Sequence, residues 1–173
     1  MAISLYDLSV ASFLQMLGGA TRFLQRGLDH CRDRAIDPDE FVKARLYEDM
    51  LPLSFQIVSV AHHSLGAIEG VKRGQFAPPD AAPGLDYAAL QKLLADARDG
   101  LQRLTPGEVN AFEGRDVVFQ VRDLKIPFTA EKFLMSFSLP NFYFHVTTAY
   151  DILRSKGVPL GKRDYMGQLR KKE

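Results

Sequence analysis

A single cysteine, Cys31, among 173 residues leaves the chain no intramolecular disulfide and no cysteine-rich metal site. That usage fits a reducing compartment. Charge of one sign is missing too: 22 Lys and Arg stand against 21 Asp and Glu, for a net charge of +1. Such a balance gives no global field to draw the protein to nucleic acid or to an anionic membrane. No apolar run approaches the roughly 18 residues of a membrane helix. The apolar N-terminus has no basic region ahead of it and is interrupted at Asp7, unlike a secretory signal. A cytoplasmic protein is expected. There is no nucleophile elbow, P-loop or dinucleotide fingerprint.

What is present is ordinary globular material, 46% hydrophobic and 25% charged, enough for one domain over residues 1–173. Ser4 caps a first helix whose stripe of Phe13, Met16, Leu17, Ala20, Leu24, Leu28 and Cys31 runs to about residue 31. Gly18-Gly19 weakens its middle, and such small residues let another helix approach closely. Asp37-Pro38-Asp39-Glu40 starts a short helix to about Leu46. A second long helix runs from about Pro52 to Lys72 and carries His62 and His63. Neighbouring helical residues diverge by about 100°, so at most one of the two faces a shared site; His62 is favoured. Gly74 to Gly84, with Pro78, Pro79 and Pro83, reads as loop. Asp86 caps a third helix along Tyr87, Leu90, Leu94, Ala97 and Leu101, and Thr105-Pro106-Gly107-Glu108 has the form of a capping box.

Between Arg115 and Phe128 the pattern changes. Val117–Val121 and Leu124–Phe128 flank Arg122-Asp123 as a short β-hairpin, with Pro127 at an edge or strand end. Thr129 caps the last helix, which Pro140 should kink or divide and which ends near Gly157. The residues beyond it read as an irregular, solvated, increasingly basic tail. The architecture expected is all-α, four long antiparallel helices with a hairpin before the last, and bundles of this kind place functional groups on facing helices.

From Leu139 to Tyr150 no residue carries a fixed charge, and apolar side chains do not keep to one stripe, as expected of a helix buried on several sides. His145 sits in its middle and is the leading candidate for chemistry. A buried histidine satisfied by a neighbouring backbone or hydroxyl group explains its place equally well. Asn141, Thr148 and Tyr150 are the further pocket candidates on this helix. Phe137, Phe144 and Asp151 share one side, with Phe142, Val146 and Leu153 on another. Two apolar faces suggest a homodimer interface beside the core, unless hairpin, loop and tail cover the second.

The run Leu139-Pro140-Asn141-Phe142-Tyr143-Phe144-His145-Val146-Thr147-Thr148-Ala149-Tyr150-Asp151, with Gly157-Val158-Pro159-Leu160-Gly161-Lys162-Arg163-Asp164 after it, resembles the C-terminal signature of a bacterial domain-of-unknown-function family. That family belongs to the DinB/YfiT-like superfamily of metalloenzymes. Leu51-Pro52-Leu53 with Gln56 is similar to its pattern as well. The resemblance covers nearly the whole chain and implies a four-helix bundle running up-down-down-up. It also implies a three-histidine metal site, one ligand from the second helix and a His-x-x-x-His pair on the fourth.

Here the pattern departs: four residues after His145 stands Ala149, and no histidine follows. Three function classes follow. The first is a degenerate member without the metal site, binding a small molecule in its central cavity. The second is a divergent metal-dependent hydrolase or thiol transferase, holding Zn, Ni or Fe on His145 with His62 or His63 and activating water or thiolate. The third is a non-enzymatic partner-binding bundle. Ala149 favours the first, with no cofactor.

Overall fold

Ser4 does start a helix. Its hydroxyl accepts from the Asp7 N–H at 3.1 Å while Asp7 reaches back to the Ser4 backbone, so two orphan donors are satisfied reciprocally. In the computed structural model, which describes residues 3–79 and 84–172, that helix is only the short α1 (Leu5–Leu8). Ser9 turns its hydroxyl back onto the Leu5 carbonyl at 2.6 Å, and the long α2 (Val10–Arg34) follows. Asp37 caps α3 (Pro38–Val42). This helix stops short of Leu46, because the chain turns there to offer the Ala44 carbonyl to the Leu53 N–H at 2.9 Å.

The second long rod is continuous but not uniform. It consists of α4 (Leu53–Ala61), a π-helical turn π1 (His62–Gly66) and α5 (Ala67–Arg73). It ends at Gly74, whose φ of 74° is left-handed and suits glycine. Asp86 accepts from the Ala89 N–H to cap α6 (Tyr87–Gln102), and the Thr105–Glu108 capping box opens α7 (Pro106–Asn110).

The predicted hairpin is present as β2 (Asp116–Val121) and β3 (Leu124–Thr129), turning at Arg122-Asp123. It is part of a larger element, however. Gln75–Phe76, expected as loop, forms β1 and pairs parallel to β2, giving a three-stranded sheet in the order β1-β2-β3. The pairing explains the difference: Val118 N–H donates to the Gly74 carbonyl at 3.0 Å, a contact remote in sequence. Pro127 lies on the edge strand β3, where a missing N–H costs little. Of the loop after β1, Asp80–Pro83 lie outside the described residues.

The last rod is α8 (Ala130–Lys132), a second π-helical segment π2 (Phe133–Ser138) and α9 (Leu139–Ser155). Pro140 sits in the first turn of α9, directly after π2, so the rod does change character there. Ser138 and Leu139 on the N-terminal side of Pro140 keep right-handed helical angles, and the irregularity sits in the π turn just before.

The four long rods pack into a bundle in which α2 touches α6 and α9, and α4 touches the same two. Phe13, Leu17, Phe23, Leu24, Ile57, Leu94, Phe142 and Ile152 are fully buried between them, each stabilising by about 1.5–3 kcal/mol. The sheet lies over the π2 end of the last rod. Phe119 and Phe128 meet Phe137 at 4.7 and 6.0 Å between ring centroids, and Phe76 meets Phe133 at 5.0 Å. Part of the second apolar face is thus covered by the sheet, although Phe144 stays 59% exposed.

The tail is the largest departure from expectation. It forms α10 (Lys162–Met166) and docks on α2. At Gly19 the two segments come so close that a Cβ would collide with the Tyr165 carbonyl, and one at Gly167 would collide with the Gln15 carbonyl. Gln15 donates to the Met166 carbonyl at 3.1 Å, Arg26 pairs with Asp164 at 2.6 Å, and the Tyr165 and Thr147 hydroxyls meet at 2.9 Å. Gly19, of the Gly18-Gly19 pair in α2, is the seat for this segment.

Candidate functional site

His145 lies half-buried on α9 and faces Gln56 of α4, with Nδ1 2.8 Å from the Gln56 Oε1. The direction of that bond is fixed by a second one. Gln56 Nε2 donates to the Leu51 carbonyl at 2.9 Å, and a carbonyl can only accept, so the amide oxygen is the end turned to the ring. Nδ1 of His145 therefore carries the proton, and in the neutral ring Nε2 keeps the lone pair. Burial pushes the imidazole down to about 4, so it is neutral near pH 7.

His63 completes the pair. Its ring lies nearly parallel to that of His145, 17° between planes and 5.8 Å between centroids. It is buried, and its Nδ1 has no hydrogen-bond partner among the described residues. Burial first, and then the neighbouring His62 and His145, push it down to about 3. Phe55, Phe76, Phe137 and Phe144 surround the two rings, at 5.9 and 5.3 Å from His145 for Phe55 and Phe144. A dry aromatic setting of this kind is what keeps an imidazole uncharged.

His63, not His62, faces His145, which corrects the sequence expectation. His62 instead lies flat on Phe76 at 4.4 Å and 29°, with Nε2 2.7 Å from the Ala77 carbonyl. It holds the start of the loop after β1 against the rod. His62 and His63 open the π1 turn, with 5.5 Å between their ring centroids. The two π segments are joined directly: Ser138 at the end of π2 donates to the His63 carbonyl at 2.7 Å, in the interior. π turns inside α-helices recur at functional sites, and here two meet beside one histidine pair.

The remaining candidates do not converge on it. Asn141 donates to the Phe137 carbonyl and Thr148 to the Phe144 carbonyl, each one turn back on its own helix. Tyr150 packs against Phe23 and Tyr165. Gln56, noticed in the sequence only as part of a motif, is the polar partner that matters. Its signal was its spacing, since Gln56, Val60 and His63 share one helix face.

The three-histidine metal set does not fit these residues. Ala149, at the position of the third ligand, is fully buried and offers no donor. Among the described residues no group of three His, Cys, Asp or Glu side chains comes together to hold an ion. The third polar group at the pair is an amide already engaged at both ends. Cys31 is buried and its thiol is pushed up by that burial, the setting of an inert cysteine.

A mainly helical bundle bearing a small sheet and a histidine pair between facing rods places the chain in the DinB-like class. It is similar to the crystal structure of a DinB family member protein from Shewanella denitrificans, with a TM-score of 0.80 and 25% identity, covering 98% of this chain and 95% of that one. Residues 5–166 match the DUF1993 family, a domain of unknown function, and the chain belongs to that family. No curated protein matches it. Among the described residues no helix is long and apolar enough to cross a membrane.

Proposed function

We propose that this chain is a degenerate DinB-like bundle, its four long helices running up-down-down-up, that binds a small molecule at the His63–His145 pair instead of a metal ion. The observation that carries the reading is the Gln56–His145 hydrogen bond at 2.8 Å, with Gln56 itself clamped by Leu51. It holds a neutral imidazole in one tautomer and one orientation. The Nε2 lone pair is then a preset acceptor for a ligand N–H or O–H, and the flanking aromatic rings suit a flat or apolar ligand body. Ala149 in place of a third histidine supports a site without the ion.

The test begins with elemental analysis of protein purified without a histidine tag or chelator. A metal-free protein whose His145 Nε2 resonance shifts on adding small hydrogen-bond donors, with the response lost in His145→Ala, supports the reading. Near-stoichiometric zinc, nickel or iron that disappears in His145→Ala would overturn it and turn attention to metal-dependent hydrolysis and thiol transfer.

The same proposal includes a homodimer through the open part of α9, where Tyr143 is 38% and Phe144 59% exposed. Light scattering at micromolar concentration should give twice the 19.4 kDa chain mass, and Phe144→Ser should halve it. A wild-type monomer removes this part alone.

A further inference from the structure

Docking of the tail creates a cavity that has nothing to do with the histidine pair. It has a volume of about 920 Å³, lies between α2 and the residues from α10 onward, and is lined by Arg22, Lys162, Arg163 and Lys171 together with Met166 and Leu169. Four cations and no carboxylate face it. Among the described residues none of the four has an ion-pair partner. Asp164, the acid within α10, is already engaged by Arg26 at 2.6 Å and by the Gly161 N–H at 2.8 Å, and its field reaches Arg22 only as a lesser influence.

A second cavity of about 430 Å³ adjoins it and shares Arg22 and Gln168. That one adds Arg98 and Thr21; among the described residues Arg98 has no ion-pair partner and the buried Thr21 hydroxyl oxygen no hydrogen-bond partner. In a chain of net charge +1, five cations without an ion-pair contact among the described residues, around one concave surface, are a concentration of positive field. Like charges held together destabilise a fold unless a counter-charge is supplied. The apolar share of the lining, Met166 and half-exposed Leu169, is what a wholly ionic partner would not need. The size is that of a small-molecule pocket, about 300–1,000 Å³.

We infer that this cavity is a binding site for a small amphipathic anion, a phosphate or carboxylate group on an apolar body, with Arg22 and Arg163 holding the anion and Leu169 and Met166 its apolar part. Guanidinium groups suit this work because their forked donors match phosphate and carboxylate oxygens. The site exists only while the tail is docked, so ligand and tail stabilise one another.

Octyl phosphate and inorganic pyrophosphate are the probes, titrated calorimetrically into the full chain, with octyl glucoside as the uncharged control. Octyl phosphate should bind with a 1:1 stoichiometry and weaken at least tenfold between 50 and 300 mM salt. Arg22→Gln with Arg163→Gln, both exposed positions that should not disturb folding, should weaken it at least tenfold. Leu169→Ser should weaken octyl phosphate and leave pyrophosphate unchanged. His145→Ala should change neither, which separates this site from the histidine pair. No binding of octyl phosphate, equal binding of octyl glucoside, or affinity unchanged in the double variant would each overturn the assignment.

Discussion

Two regions of this bundle handle polar groups in opposite ways. Around His63 and His145 the titratable groups are drawn largely out of water and kept neutral, His145 held by an amide and His63 packed among aromatic rings. Around Arg22 and Arg163 the charges stay in water, stay unmatched, and face a cavity. The first region is held by aromatic packing and two irregular helical turns, the second by two glycines that let backbones touch. The difference teaches where to look for function in such a fold. A buried imidazole in a fixed tautomer is prepared for one directed interaction, whereas an open cationic hollow selects by charge and tolerates variety.

Acid should break the comparison most strongly. Both imidazoles sit below their ordinary value of 6.5, at about 3 and about 4. The unfolded chain therefore binds more protons than the native one once the pH drops below about 6.5. The stability they contribute is complete above that point and is lost as pH falls toward 4 and then 3. The expected loss by pH 5 is on the order of 2 kcal/mol for each histidine. Urea midpoints at pH 7.5, 6 and 5 measure it. His63→Leu, of similar size and with no group to titrate, should remove about half of the slope. A midpoint unchanged from pH 7.5 to 5 would refute the picture of a neutral pair.

The tail region should give way to bulk instead. Gly19→Val puts side-chain atoms where the Tyr165 carbonyl lies, and overpacking of this kind costs about 1–3 kcal/mol. The loss should be local. Trypsin should cleave rapidly at Lys162 and Arg163, while the acid response of the histidine pair keeps its wild-type slope. If cleavage stays slow, the close approach at Gly19 is not what holds the tail.

The sequence predicts some of this well and misses other parts, for reasons that lie in particular residues. Asp37-Pro38, Asp86 and Thr105–Glu108 act within four residues of themselves, so the helix starts they mark are where they were expected. The Arg122-Asp123 turn is likewise local. Strand β1 is two residues inside a Gly- and Pro-rich stretch and exists only because β2, some forty residues on, pairs with it. The π turns leave almost no trace, since one extra residue in a turn barely disturbs an apolar stripe. Regular helical spacing from Gln56 already puts His63, rather than His62, on the face toward His145. The docked tail reads as a solvated basic end because its partner is not a hydrophobic stripe but the absence of side chains at Gly19. His145 itself stood out, as the one histidine in an uncharged helix. Its partner Gln56 was visible as a motif residue, but an amide has no pattern that announces whom it will bond.

Gln56→Ala sharpens the comparison at the histidine pair. It would leave the His145 Nδ1–H and the Leu51 carbonyl without partners, and an unsatisfied buried group costs about 1–3 kcal/mol. Nitrogen-15 shifts of the imidazole should show a single Nδ1–H tautomer in the wild type and a mixture in the variant. A wild-type ring already divided between tautomers would mean that Gln56 does not orient it.

The smallest effect is expected where the shortest ion pair lies. Arg26 and Asp164 approach to 2.6 Å, but the Arg26 side chain is 43% exposed, and pairs in such settings are worth about 0–1 kcal/mol. Arg26→Gln should therefore leave the denaturation midpoint nearly unchanged and the tail resistant to trypsin. The same substitution releases Asp164 from its partner and leaves its carboxylate free to turn toward Arg22, the one cavity cation it already influences. Octyl phosphate affinity should then fall several-fold while stability hardly moves. A variant that loses its tail would show instead that the ion pair, and not the glycine seat, fastens this segment to the bundle.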